Sequence, residues 1–378
     1  MNRTPNGMHA PIKSADTRER IASALAVSPK CVKLDRCVPS PSGWNLRCWG
    51  SFQGTRFFAK IFRADPHPLT LPVSVPGAES SGHSSRPVEE QIDAEWKMTD
   101  EVRTLAGPEF VPAVLGKSTA AKTIVWEEAP GVRMGDWIGK TRWSDPGGKG
   151  GAPALFHAGR FLRNIHDSSF RGCETLDLAR SLELVSHLEN QNGASQYLGL
   201  ARQVLWEAQK TIDHGGKVTV PVAFSHGDFV LANLIWSPAH QRLSVVDFER
   251  CAYRNICHDL LTIVFSLRGH LINPVIPKDV IFLWEEEFLA GYGPVPKEIS
   301  VLVSALAQSR IFYDSLERLA TRRLQSGWLA GLSVRVYKAF FEDFVLSQRL
   351  GFLPYDAAVR VMNGKSSDCE SLQWKQPL

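Results

Sequence analysis

No run of about eighteen apolar residues occurs anywhere in the 378-residue chain, so there is no candidate for a membrane-crossing helix. The opening segment MNRTPNGMHAPIKSADTRER also lacks the apolar stretch of a signal peptide, and a cytoplasmic chain with no integral membrane segment is expected. Seven cysteines, Cys31, Cys37, Cys48, Cys173, Cys251, Cys257 and Cys369, are odd in number and include no CxxC pair. That argues against a disulfide framework and against a zinc site, leaving reduced and mostly structural thiols. Charge of one sign is scarce as well: 43 basic residues stand against 39 acidic ones, a net +4, and the basic ones are scattered rather than gathered into a stripe. No nucleic-acid partner is expected from such a balance. A full G-x-G-x-x-G loop is missing too.

The chemistry that is present gathers between Phe224 and Glu249, FSHGDFVLANLIWSPAHQRLSVVDFE. Leu234, Ile235 and Trp236 follow Asn233, while Val245 and Val246 precede Asp247. The turn-forming segment Ser237 to Arg242 lies between these apolar runs, which predicts a β-hairpin. Such a hairpin carries Asn233 and Asp247 on neighbouring strand ends, with Asp228 on the loop just before. Three oxygen-bearing side chains then converge, and hard cations such as magnesium take this kind of ligand together with substrate phosphates.

His226-Gly227-Asp228, four residues, Asn233, thirteen residues, then Asp247-Phe248-Glu249 resembles the signature of the aminoglycoside phosphotransferase and choline kinase family, small-molecule relatives of the protein kinases. The resemblance implies ATP and Mg2+ as cofactors, Asp228 as catalytic base toward a substrate hydroxyl, and Asn233 and Asp247 as magnesium ligands. It assigns His226 to bracing the catalytic loop. Glu249, two residues after Asp247 and so on the same side of a strand, reads as touching the metal through water or holding the neighbourhood of Arg250. His258-Asp259-Leu260-Leu261 is similar to the family's helix start, in which Asp259 anchors the loop. Transfer of a phosphoryl group depends on positioning and charge neutralisation more than on covalent chemistry, so this residue set is a sufficient minimum.

Lys60 stands inside the apolar strand FFAKIF, where a charge is costly without an anionic partner. By resemblance it contacts the nucleotide phosphates and pairs with a glutamate on the next helix. Glu95 shares a helical face with Met98, Val102 and Leu105, and Glu101 is the rival. The turn containing Gly43-Trp44-Asn45 resembles the family's phosphate-covering loop and reads equally as an ordinary hairpin turn. Thr123 to Gly131 resembles the stretch joining two lobes, whose main chain from Glu127 onward borders the adenine.

The expected fold is α+β, protein-kinase-like and two-lobed, as the length suggests. A β-rich nucleotide-binding lobe spans 17–126 and a mostly helical catalytic and substrate lobe spans 127–362, with a loose tail at 363–378. Prolines and serines between 64 and 90 read as an inserted loop, either a lid or a segment without catalytic role. Helices are expected at 16–25, 93–107, 154–165, within 180–212, and at 261–271, 278–291, 299–323 and 328–350. His166, at the end of one of them, reads as a core histidine. The acceptor is a small-molecule hydroxyl, on a sugar, an amino alcohol or a saccharide, and the acidic run Glu285 to Glu287 reads as a solvated helix face. The alternative is a kinase-fold protein that binds nucleotide without catalysis, against which stands the presence of every expected polar group.

Overall fold

Ile21, Ala22 and Leu25 lie on one side of α1 (Ser14–Leu25), and that side covers a sheet whose strands alternate apolar and polar residues. The computed structural model describes residues 14–40, 45–62, 87–137, 149–179, 181, 196–212, 217–272, 277–307 and 309. They divide into two compact units. In the first, β1 (Val32–Pro39), β2 (Asn45–Phe52) and β3 (Thr55–Phe62) run antiparallel. Gln53 and Gly54, both left-handed at φ +48° and +82°, close the second hairpin in the two-residue manner that suits strand twist. α2 (Val88–Ala106) follows, then β4 (Val114–Ser118) and β5 (Thr123–Glu127), giving the sheet order β1-β2-β3-β5-β4. Phe57, Ala59 and Ile61 point toward α1 and join Val32, Leu46, Cys48 and Val125 in one buried cluster.

The second unit begins with β6 (Val132–Arg133) and α3 (Ala152–Ser168), continues through β7 (Gly172–Asp177), α4 (Gln196–Thr211) and β8 (Lys217–Ser225), and reaches the short hairpin of β9 (Leu234–Ser237) and β10 (Arg242–Val245). β11 (Ala252–Asn255), α5 (Cys257–Arg268) and α6 (Lys278–Tyr292) follow, with further helix at 297–307. Two three-stranded sheets result, β10-β9-β6 and β11-β8-β7. The helices share a core in which Phe161 stacks on Phe229 with centroids 5.8 Å apart and meets Phe110 edge-on at 5.6 Å. Arg268 on α5 is buried and reaches both carboxylate oxygens of Glu285 on α6, at 2.6 and 2.9 Å, and Ser304 at 2.8 Å. Such a buried pair offsets its desolvation only with good geometry and further hydrogen bonds, here the two-pronged contact with Glu285 and the bond to Ser304. Glu285 is therefore part of the core and not of a solvated face.

The α+β class stands as expected from the sequence. Residues 102–111 cluster with the second unit instead of the first, because Phe110 packs on Phe161 and its carbonyl accepts the Val245 amide at 2.8 Å. α2 starts at Val88, inside the segment read as an insertion; 63–86 and Gly43 lie outside the described residues, as do the helices expected beyond 309 and the tail. Among the described residues no helix is long and apolar enough to cross a membrane.

Where α3 and α6 cross, Gly159 abuts the Phe288 carbonyl and Gly291 abuts the Phe156 carbonyl, leaving no room for a Cβ on either. Gly159→Ala should therefore destabilise the protein by about 1–3 kcal/mol through overpacking, against the helix-propensity gain of alanine. Urea unfolding checks this, and a stabilised variant would show that the crossing has slack.

Candidate functional site

The candidate residues fall in both units, and each set is built within its own. In the first unit, Phe58, Lys60 and Phe62 share the face of β3 opposite to Phe57, Ala59 and Ile61, since side chains alternate along a strand. Lys60 is only 4% exposed, and its ammonium lies 3.1 Å from both carboxylate oxygens of Glu95 on α2, itself 3% exposed. Glu95 and not Glu101 is thus the carboxylate that faces the lysine. Thr99 bonds the Glu95 carbonyl at 2.7 Å, one helical turn on. Buried charges of this kind are tolerated only beside partners of opposite sign.

The same face carries aromatic rings that sequence reading did not single out. Trp49 and Phe58 are paired across β2 and β3, and Phe58 and Trp126 across β3 and β5, with centroids 5.2 and 5.9 Å apart. Phe58 precedes Lys60 by two residues, about 7 Å along the strand. The alternation in FFAKIF held that signal. Glu127 ends β5 with its amide bonded to the Ala113 carbonyl at 2.8 Å, and the Glu128 amide is bonded to the Arg56 carbonyl at 3.0 Å. Main-chain donors for a base edge would therefore have to come from beyond Glu128.

In the second unit the loop after β8 is held from below by one buried carboxylate. Asp259, at the start of α5, accepts the His226 amide at 2.8 Å with one oxygen and the Gly227 amide at 2.9 Å with the other. Burial alone would raise this carboxyl, but the hydrogen bond from His166 and neighbouring imidazoles hold it well below the usual carboxylate range. Tyr292, whose phenol burial pushes up, stays protonated and lies 2.8 Å from His166 Nδ1, while His166 Nε2 faces Asp259 at 3.4 Å. Gly227 sits at φ +78° against the Arg250 carbonyl, a place that admits no side chain.

His226 is fully buried, and both of its ring nitrogens meet main chain: Nε2 donates to the Val246 carbonyl at 3.2 Å and Nδ1 accepts the Asp228 amide at 3.3 Å. That geometry makes it a brace between the two arms of the site. Phe229 and Leu231 bury their side chains, and the Leu231 amide donates to Ser266 on α5 at 3.2 Å. Asp228 is left half-buried at the loop tip. Asn233 turns its amide nitrogen to the Asp228 carbonyl at 2.9 Å and to the Asp228 carboxylate at 3.3 Å, so its oxygen is the end left to a cation.

The hairpin registers Leu234 opposite Val245, and the Val246 amide adds a bond to the Asn233 carbonyl at 3.1 Å. Asn233 and Asp247 accordingly emerge from adjacent arms. β10 stops at Val245, however, and Asp247 is left-handed at φ +73°, so Asp247 and Glu249 lie in a loop and not along one strand face. Their nearest carboxylate oxygens are within 4.8 Å of each other.

A model of the phosphotransferase enzyme family matches residues 56–299 of this chain. No curated protein sequence matches it significantly. Among solved structures, a choline/ethanolamine kinase family protein from Mesorhizobium loti is 16% identical, with 92% of this chain and 98% of the other covered at a TM-score of 0.50. A microcompartment-associated aminopropanol kinase is 17% identical over 89% and 99%, also at 0.50. An aminoglycoside phosphotransferase from Alicyclobacillus acidocaldarius is 11% identical over 87% and 92%, again at 0.50. At such identities the likeness is one of fold.

Asp259→Asn would set an amide NH2 against a backbone N–H and remove the charge. The unfolded carboxyl titrates near about 3.9 and the folded one well below, so this group's stabilisation is present above the unfolded value and fades as pH falls toward the folded one. The variant should lose about 3–5 kcal/mol at neutral pH, with the gap to wild type narrowing below about pH 4. Denaturant unfolding at both pH values tests this, and a gap independent of pH would contradict the charge argument.

Proposed function

Because the chain belongs to the phosphotransferase enzyme family, we propose that it moves the γ-phosphate of ATP to a hydroxyl of a sugar, an amino alcohol or a saccharide, with Asp228 as base and Mg2+ held by Asn233 and Asp247. It is a kinase, and the identity of its cofactors and the roles of its residues rest on the following reading. The observation that carries it is the convergence of Asp228 and Asn233, 3.3 Å apart, on a loop whose amides at His226, Gly227 and Asp228 are tied down.

The donor set fits a hard divalent cation: a carboxamide oxygen from Asn233, a carboxylate from Asp247, and a second carboxylate from Glu249 nearby, all of them oxygen. A bound Mg2+ would supply charge neutralisation for the phosphoryl group in transfer. Asp228, half-buried at the loop tip, accepts the proton of the acceptor hydroxyl and orients its oxygen for in-line attack. Asn233 holds that carboxylate in place through its amide nitrogen. Lys60, kept in a single position by Glu95, binds the nucleotide phosphates. Phe58, half-buried two residues before Lys60 and flanked by Trp49 and Trp126, offers a flat apolar surface for the base.

The test is label transfer from γ-labelled ATP to a panel of sugars, amino alcohols and saccharides, by wild type and two variants. Asp228→Asn should lose about 10²–10⁴-fold in rate while keeping magnesium-dependent stabilisation by ATP. Asp247→Ala should lose both that stabilisation and transfer. Tight, magnesium-dependent ATP binding by wild type with no label in any acceptor would replace this reading with that of a non-catalytic nucleotide-binding protein.

A further inference from the structure

β1 and β2 place Cys37 directly opposite Cys48 in an antiparallel pair, so the two side chains share a face of the sheet. How close they come depends on which kind of pair this is. The Ser40 amide donates to the Asn45 carbonyl at 2.8 Å, and these two residues continue the same register, which makes them a hydrogen-bonded pair. Counting back along the strands, Pro39 with Leu46 is not such a pair, Val38 with Arg47 is, and Cys37 with Cys48 is not. Pro39, which has no amide hydrogen, agrees with this count, and β1 is an edge strand. Opposite residues at a non-hydrogen-bonded place have Cα atoms about 4.5 Å apart, within the span of about 4.4–6.8 Å that a disulfide bridges.

The two thiols differ in access. Cys37 is exposed, whereas Cys48 is fully buried against α1. Among the described strands no other two cysteines stand opposite one another.

We propose that Cys37 and Cys48 are a redox site, in which Cys37 attacks a hydroperoxide and Cys48 resolves the product into a cross-strand disulfide. The Cys37 thiolate takes the terminal peroxide oxygen, the O–O bond breaks, and Cys37 becomes a sulfenic acid as the alkoxide or hydroxide leaves and is protonated. The Cys48 sulfur then attacks the Cys37 sulfur; the S–S bond forms, and the displaced hydroxide departs as water with the Cys48 proton. With hydrogen peroxide, two thiols and one peroxide give one disulfide and two waters. The roles follow from access, since Cys37 is exposed while Cys48 is buried, and the thiols shift in the same sense: the neighbouring Cys48 lowers the Cys37 thiol, whereas Cys37 and burial push Cys48 up. The nucleophile is thus the sulfur that solvent can reach.

Trypsin provides a direct readout, because it cuts after Arg36, Arg47 and Arg56 and leaves the two cysteines on peptides 37–47 and 48–56, which only a disulfide can join. The full-length protein is treated with stoichiometric hydrogen peroxide, alkylated, digested and analysed by mass spectrometry. The expected result is a joined peptide lighter by two hydrogens than the sum of its parts, which disappears on reduction. In Cys48→Ala, which keeps the buried place apolar, Cys37 should be trapped as a sulfenic acid by a dimedone-type probe; in Cys37→Ser, Cys48 should stay unmodified. Oxidation of Cys37 onward to the sulfinic acid in wild type, or a cross-link that bypasses this pair, would overturn the proposal. The readout is a covalent bond and not phosphate transfer, so it stands or falls separately from the proposed activity.

Discussion

The carboxylate of Asp259 is the constraint from which the second unit's candidate loop hangs. A buried anion is tolerated only when each oxygen is met by donors, and here the donors are consecutive backbone amides of His226 and Gly227, more than thirty residues earlier in the chain. Meeting that demand forces the turn at Gly227, and the turn in turn aims Asp228 outward. His166 and Tyr292 then carry the same chain of hydrogen bonds into α3 and α6. The loop is rigid because core helices would have to part before it could move.

His226 transmits this rigidity to the other arm of the site. It spends both nitrogens on main chain and spans from the Asp228 amide to the Val246 carbonyl, next to Asp247. The hairpin register completes the frame by pairing Leu234 with Val245 and tying Val246 to Asn233. Polar groups that touch no substrate in the proposed reaction therefore fix those that do. A phosphoryl-transfer site benefits from such an arrangement, since its charges act without reorganising at the moment of transfer. Lys60 and Glu95 repeat the logic within the first unit, as a buried cation held in one place by a fully buried partner.

The Cys37 and Cys48 pair shows a different use of strand geometry. Composition read as reduced structural thiols, and neither spacing nor count suggested otherwise, because eleven positions separate the two along the chain. Only the register of β1 on β2, and the parity of its hydrogen bonds, sets one sulfur against the other.

Much of the site was legible because its motifs are local. His226 to Asp247 lies within one loop and one hairpin, where turn residues and β-branched runs dictate pairing on their own. The lone lysine of FFAKIF likewise announced a buried charge in need of a partner. Strands β4, β7 and β11 were not legible, since their residues become strand only by pairing with neighbours distant in the chain. The transfer of residues 102–111 to the second unit escaped for the same reason, as did the burial of Glu285. The sequence by itself determined the α+β class, the family resemblance and the identity of the polar groups, all carried by short-range patterns. Tertiary structure alone decided that Glu95 and not Glu101 faces Lys60, that the amides Asp259 accepts are those of His226 and Gly227, and that Asp247 turns left-handed, because each depends on contacts between segments whose separation no local pattern encodes.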